Sequence, residues 1–336
     1  MNVEPHTMPT TMTAITQAEY GTDPASVLRL ADVPLPTVGD GEVLVRVAAV
    51  GIDRGTWHVM SGLPYPIRLA GFGLRRPKAA NPGRSLAGVV EAVGTGVTEF
   101  RPGNEVYGTG VAALAEYAVA RADRLAPRPV TMTFEQAAAV PVSGQTALQA
   151  VRKHGRVQAG QRVLVLGASG GVGTFAVQLA KLSGAEVTGV CSAAKTDVVR
   201  DLGADHVLDY ARTDAVDGRV RYDVILDIGG NRRLSSLRRA LASRGRLVIV
   251  GGEAPGRWLG GTDRQLRALA LSPFVAQTLG TFVAAESTAD LEALRELVDS
   301  GRLIAAVDRT YPLARTAEAV RSLIEGRVRG KAVVTI

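Results

Sequence analysis

The run Arg162-Val-Leu-Val-Leu-Gly-Ala-Ser-Gly-Gly-Val-Gly173 constrains this chain more than any other. β-formers from Val163 to Leu166 break into a glycine-rich turn, and an apolar helix-like run follows from Val172 to Leu182. Strand, glycine turn and helix in that order turn a bare glycine motif into a dinucleotide site. Glycine permits the tight turn and a close backbone approach to a pyrophosphate. The helix that starts there aims unpaired N–H groups and a positive dipole end at the phosphates. The spacing is Ala168-x-Gly170-x-x-Gly173, with alanine in place of the first glycine of the usual pattern. Ala168, Ser169, Gly170, Gly171, Val172 and Gly173 are therefore the phosphate-binding candidates, Ser169 as a hydrogen-bond donor. Gly167-Ala-Ser169-Gly-Gly171 also fits the G-x-S-x-G elbow of serine hydrolases. That chemistry needs a histidine base late in the chain. His206, at the start of an expected strand, is the only histidine after Ser169, so the hydrolase reading is set aside.

A length of 336 residues suggests two domains, and 46% apolar content is ample for sizeable cores. No run of 18 apolar residues free of charge occurs, so no spanning helix and no membrane partner is expected. Residues 1–11 lack the pattern of a signal peptide and read as a disordered leader, with Met12 an alternative start. The single Cys191 rules out an internal disulfide and fits a reducing cytoplasm. The net charge of +7 is carried mostly by arginines scattered over the chain, not by the clustered footprint of a nucleic-acid binder. A positive balance also suits an anionic cofactor.

Short β segments punctuated by Gly and Pro fill the first third: Met12–Gln17, Val43–Val50, Leu86–Val93, Glu105–Gly108 and Ala115–Ala120. Ser61–Gly83 is rich in breakers and reads as a long loop, often a functional feature. From about Thr133 helices alternate with strands, the pattern of a parallel, doubly wound α/β sheet. Strands are expected at Glu186–Cys191, His206–Asp209, Asp223–Asp227, Gly245–Val250, Leu279–Ala284 and Ile304–Val307. Lys331–Ile336 forms a β tail that returns to the first domain.

The end of the second strand discriminates between the two nicotinamide dinucleotides. An NAD site places an acid there for the ribose 2′-OH, and that acid repels a 2′-phosphate. Here the strand ends Gly189-Val190-Cys191 and continues Ser192-Ala-Ala-Lys195, with no acid at the tip. Ser192 and Lys195 can take a phosphate, and Tyr210 next door can complete the pocket. Alternatively, Ser192 caps a helix and Lys195 is solvated. The pattern favours NADPH.

The chain resembles the medium-chain dehydrogenases/reductases, in their zinc-free quinone-oxidoreductase branch, over nearly its whole length. The resemblance rests on Gly88-Val-Val-Glu-Ala-Val-Gly94, Pro102-Gly103-Asn-Glu-Val106-Tyr-Gly108, Ala115-Glu116-Tyr117, Ala138-Ala-Val-Pro141, Thr146-Ala147, the glycine motif, Leu202-Gly203-Ala204-Asp205 and Gly330-Lys331. It implies a GroES-like β-barrel catalytic domain (1–127), a Rossmann NADP-binding domain (128–301) and a return to the catalytic domain (302–336). It also implies a homodimer and hydride transfer from nicotinamide C4. Thr146 and the Val250-Gly251-Gly252 turn would face the nicotinamide, and Lys331 would reach the cofactor from the tail. By the same resemblance, Ser192, Lys195 and Tyr210 match the 2′-phosphate site of NADPH-using relatives. The zinc branch carries a cysteine after the Val-Gly turn and a Gly-His-Glu triplet. This chain has Val50-Gly-Ile-Asp53 and Gly83-Arg84-Ser85, with four histidines in all, so neither zinc site can be assembled. Zinc-free relatives carry an acid where Ser85 stands, which would leave Arg84 without a neighbouring carboxylate.

Reduction without a metal needs donors for a developing oxyanion and a proton for the neighbouring carbon. Asp53 aligns with an asparagine of zinc-free relatives and either orients cofactor or substrate or closes an Asx turn. His58 and Tyr65 are candidate proton donors, His58 with a structural role as the alternative. Trp57, Arg68, Phe72 and Trp258 are candidate pocket residues, Arg68 for an anionic group, with core packing as the alternative for the aromatics. Phe274 and Phe282 are assigned to the core or a dimer contact. The leading function is an NADPH-dependent, zinc-independent reductase of α,β-unsaturated carbonyls or quinones. The alternatives are a ketone, aldehyde or imine reductase of a biosynthetic pathway, and a non-catalytic NADPH sensor or RNA-binding protein.

Overall fold

The computed structural model describes residues 9–251, 256 and 258–336. Among these, β1 (Thr11–Thr16) and β2 (Arg29–Pro34) form an antiparallel ribbon that leads into the first large sheet. That sheet takes β3 (Glu42–Ile52), β4 (Ser85–Val93), β5 (Glu105–Thr109), β6 (Tyr117–Arg121) and β7 (Leu125–Pro127). β3 is its spine, pairing with both β4 and β6. Alternating apolar residues such as Val43, Val45 and Val47 enter a core with Leu86, Val106 and Leu125.

The second large sheet contains β8 (Arg162–Leu166), β9 (Glu186–Cys191), β10 (His206–Asp209), β11 (Tyr222–Asp227), β12 (Leu241–Ile249) and β13 (Thr278–Thr281). Their order is β10-β9-β8-β11-β12-β13, parallel throughout. Val163 and Val165 of β8 face one core and Leu164 and Leu166 the opposite one. A strand buried on both faces explains its continuous apolar run. The connection reverses direction between β8 and β11, and ligands bind at such a switch point, beyond the strand C-termini. β14 (Val307–Pro312) and β15 (Lys331–Thr335) then rejoin the first sheet, β15 antiparallel to β3. This is the expected α/β architecture of GroES-like barrel plus Rossmann sheet, with the tail returning to the barrel.

Several local readings need correction. β2 was not foreseen, because its alternation is half-exposed. The stretch read as a long loop contains a π-helical turn, Arg68–Phe72. The strand expected at Ile304–Val307 begins at Val307. A helix at Thr262–Leu271 went unread, and its pattern explains why: its buried residues are Arg264 and Ala268, while Leu266 and Leu269 are exposed. Of the two roles read for Phe274 and Phe282, the 83% exposure of Phe274 excludes the core and leaves a contact with another chain, whereas Phe282 is half-buried against the core and stacks on His154.

Candidate active site

The turn after β8 is built from backbone. Gly167 adopts φ +83°, a conformation that costs glycine little, and its N–H and that of Ala168 both donate to Val190 O. The tight-turn role of the replaced first glycine thus falls to Gly167, one residue earlier. Ala168 is fully buried. Gly170 caps the helix Gly171–Leu182 without any side-chain bond, which leaves the first-turn N–H groups facing outward. A Cβ on Gly173 would strike Gly167 O and lie 2.8 Å from Ala168 Cα, so only glycine lets the helix close on the turn. Ser169 O accepts from Gly330 N at 2.8 Å, stitching the returning tail to the loop.

Beneath this helix N-terminus lies Lys331, 1% exposed. Its Nζ donates to Ser143 Oγ at 3.2 Å and stands 3.6 Å from Asp53 Oδ2. A Cβ on Gly171 would sit 2.8 Å from Lys331 Cδ and 2.9 Å from Ser143 Oγ. Burial pushes the Lys331 pKa down, and the Asp53 carboxylate opposes that shift. Asp53 also caps the helix Arg54–Ser61: its Oδ1 accepts from Thr56 N at 3.2 Å, and its own N–H donates to Thr56 Oγ1. The turn reading of Asp53 and its place in the cleft therefore coexist. Ser143 was missed; its sequence signal was the serine two residues after Ala138-Ala-Val-Pro141.

Three residues after Ser143 on the same helix, Pro141–Leu148, Thr146 Oγ1 donates to Val142 O at 2.7 Å. Val250 and Gly251 donate their N–H groups to Asp227 O. Gly252 lies outside the described residues. Asp227 itself is buried and forms an ion pair with Arg264, two residues that sequence reasoning did not single out. Charge at a strand end and on a helix reads as surface until the fold brings the two together.

At the tip of β9, Ser192 makes no side-chain capping bond. The half-buried Lys195 ammonium is not free: it donates to Gly326 O and Val328 O, both at 2.6 Å. Burial lowers its pKa. Tyr210 is 56% exposed beside them. Asp209, in register with Cys191, is a carboxylate near the tip, but it accepts from Ala211 N at 3.1 Å and faces Arg212.

Around the rim, His58 Nδ1 bonds Leu63 O at 2.7 Å, and its ring lies against Trp57, which packs on the barrel core. Arg68 donates to Gly62 O and stacks over Tyr20 and Tyr65, so it serves to hold its own loop. Phe72 is half-buried, and its carbonyl accepts from Tyr20 OH. Tyr65 meets the ring edge of Trp258, 76% exposed, from the opposite domain. Ser85 is buried and donates to Ala138 O at 2.8 Å. Arg84 is not without a carboxylate: it pairs with Glu286, which also binds Arg124 at 3.0 Å. Among the described residues no group of three or more His, Cys, Asp or Glu side chains converges as a metal site.

Two family models match the chain: alcohol dehydrogenase GroES-like domain over residues 39–130 and zinc-binding dehydrogenase over 202–334. The chloroplast envelope quinone oxidoreductase homolog of Arabidopsis thaliana is 31% identical, covering 96% of this chain and 98% of its own length. The chain is a medium-chain dehydrogenase/reductase. The quinone oxidoreductase of Sus scrofa, 30% identical over 97% of this chain and 98% of its own, places it in the quinone-oxidoreductase-like branch of that family. The structure of the quinone oxidoreductase from Coxiella burnetii superposes with a TM-score of 0.85 at 26% identity, covering 97% of this chain and 99% of the other. As a member of this branch the chain is an NAD(P)H-dependent oxidoreductase.

Proposed function

We propose that the chain is an NADPH-dependent, zinc-independent reductase of an α,β-unsaturated carbonyl or a quinone. The observation that carries the cofactor choice is the tip of β9. Cys191-Ser192-Ala-Ala-Lys195 offers no acid, and the nearby Asp209 is occupied by Ala211 N and Arg212. Ser192, Tyr210 and the 85% exposed Arg212 are then the groups that meet a 2′-phosphate. Lys195 anchors the 326–328 turn behind them.

The loop 167–171 and the helix start at Gly171 fit a pyrophosphate, because the cradle has no room for a Cβ at Gly173. A nicotinamide bound beyond it supplies hydride from C4. The chain's own residues orient and protonate. Lys331 and Ser143 hold hydrogen-bond donors beneath the cleft, and Asp53 keeps the ammonium in place. His58 Nδ1 donates to Leu63 O, so a proton that this ring passes to a substrate leaves from Nε2. Tyr65 is the other rim group able to pass a proton.

Zinc does not fit this donor set. Asp53 stands against an ammonium, His58 Nδ1 is committed to a carbonyl, and Cys191 is buried at the end of β9. Dimerisation through the sheet edge is part of the proposal. β13 is an edge strand, with Phe274 83% and Val283 96% exposed beside it. Many of the scattered arginines meet carboxylates, as at Arg46–Glu91, Arg121–Asp123 and Arg128–Glu105, which argues against a nucleic-acid surface.

The test is fluorescence titration with NADPH and NADH, then NADPH consumption with a quinone and a simple enone, with and without a chelator. Tighter NADPH binding with chelator-insensitive turnover is expected. NADPH binding without turnover points to a narrow biosynthetic carbonyl substrate or a sensor. Chelator-sensitive activity restored by zinc overturns the metal-free reading. In Lys195→Ala the tip should lose NADPH more than NADH, by about tenfold for one charge-assisted contact or its anchor; equal losses remove Lys195 from the 2′-phosphate end.

A further inference from the structure

Three chain segments at the C-terminal edge of the parallel sheet meet on one buried guanidinium. Arg264, on the helix Thr262–Leu271, is 9% exposed. Its Nη1 donates to Asp227 Oδ2 and, at 2.8 Å, to Arg232 O, while Nη2 donates to Gly251 O at 3.1 Å. The other carboxylate oxygen of Asp227 accepts from Gly230 N at 3.1 Å, and its main-chain carbonyl accepts from Val250 N and Gly251 N. Asp227 ends β11 in register with Leu166 of β8 and Ile249 of β12, so its carboxylate stands at the switch point. The turn at Gly251 is thus gripped from both sides: its N–H by Asp227, its carbonyl by the arginine that Asp227 neutralises.

A desolvated pair is a poor source of stability, since an apolar pair of similar volume does as well or better. What the fork of an arginine adds is direction, several bonds in one plane that a point charge cannot reproduce. We propose that Asp227 and Arg264 are positioning residues that hold the Gly251 turn against the nicotinamide half of the cofactor. This rests on the NADPH reading above. The pair sets where the dihydronicotinamide ring lies, while the adenine half, bound at the far side of β8, is indifferent to it.

The test compares binding of NADPH with binding of adenosine 2′,5′-bisphosphate, which lacks the nicotinamide half, in wild type, Asp227→Asn and Arg264→Lys. Both variants are expected to lose NADPH affinity by about tenfold or more, as misplacement of a bound group does, and to keep bisphosphate affinity. The lysine variant retains charge and folding if Asp227→Asn does not fold. Loss of both ligands in parallel, or of neither, overturns the proposal, because a merely structural pair moves both or none. A wild type that binds the bisphosphate but not NADPH, or neither, overturns the cofactor reading itself, and the positioning role with it.

Discussion

The phosphate loop and the floor beneath it are built in opposite ways. The loop from Gly167 to Gly173 is backbone: a left-handed glycine, bare N–H groups and a helix closing where a Cβ will not fit. The floor is side chain: a wholly buried lysine, a serine and an aspartate from three distant stretches of sequence. The backbone site has no room for an added atom where it closes, at Gly173, and it contains no ionised side chain. The side-chain site does, and it depends on its members being present together. The same contrast recurs at the far end of the cleft, where Arg264 holds the Gly251 turn by charge.

The difference is sharpest at Asp53, the largest effect expected. Asp53→Ala removes a helix cap worth about 1 kcal/mol and leaves the Lys331 ammonium buried without a counter-charge, a loss of about 3–5 kcal/mol. Asp53→Asn keeps a capping oxygen and loses only the charge. Chemical denaturation of both variants separates the two contributions: if they unfold alike, charge dominates, and if Asp53→Asn matches wild type, the pair with Lys331 contributes nothing and the contrast collapses.

Next comes the loop. Gly173→Ala adds one methyl where Gly167 O and Ala168 stand, and overpacking of this kind costs about 1–3 kcal/mol. Dinucleotide affinity should fall with it, because the strain is relieved only by moving the phosphate-facing turn. Gly170→Ala, where an added Cβ meets Gly167 O at an ordinary 3.5 Å, is the control and should fold like wild type. Equal tolerance at both positions would mean that the backbone cradle is softer than its geometry implies.

This contrast also explains what could be read from sequence. Strand, glycine turn and helix are local, and their chemistry is carried by residues within a dozen positions of one another. β8, β9, the helix Gly171–Leu182 and the cradle were legible for that reason, as was the return of Lys331 to the cleft by resemblance. The partnership of Lys331 with Ser143 was not, since the two stand far apart in the chain. Glu286 escaped notice as the partner of Arg84, and the missing acid near Ser85 suggested a bare arginine; the fold supplies a carboxylate from another domain. Arg264 was hidden because it occupies the buried face of a helix whose leucines point to solvent. Lys195 looked like a free phosphate ligand because nothing local shows that the 326–328 carbonyls reach it.

The smallest effect tests the floor by titration. Burial lowers the Lys331 pKa below its usual 10.5. At pH below the folded value both folded and unfolded chains carry the proton. Between the folded value and about 10.5 only the unfolded chain carries it, so the folded form gains stability as pH rises through that window. Lys331→Met has no such proton, and its stability should lack this rise. The difference between the urea midpoints of wild type and Lys331→Met, followed from neutral to alkaline pH, should therefore move in favour of wild type. In an Asp53→Asn background the carboxylate no longer favours the ammonium. The Lys331 pKa then falls further, and the rise begins at lower pH. Parallel curves in both backgrounds would show that the ammonium keeps its water, and the floor would then differ from the loop in composition but not in how it works.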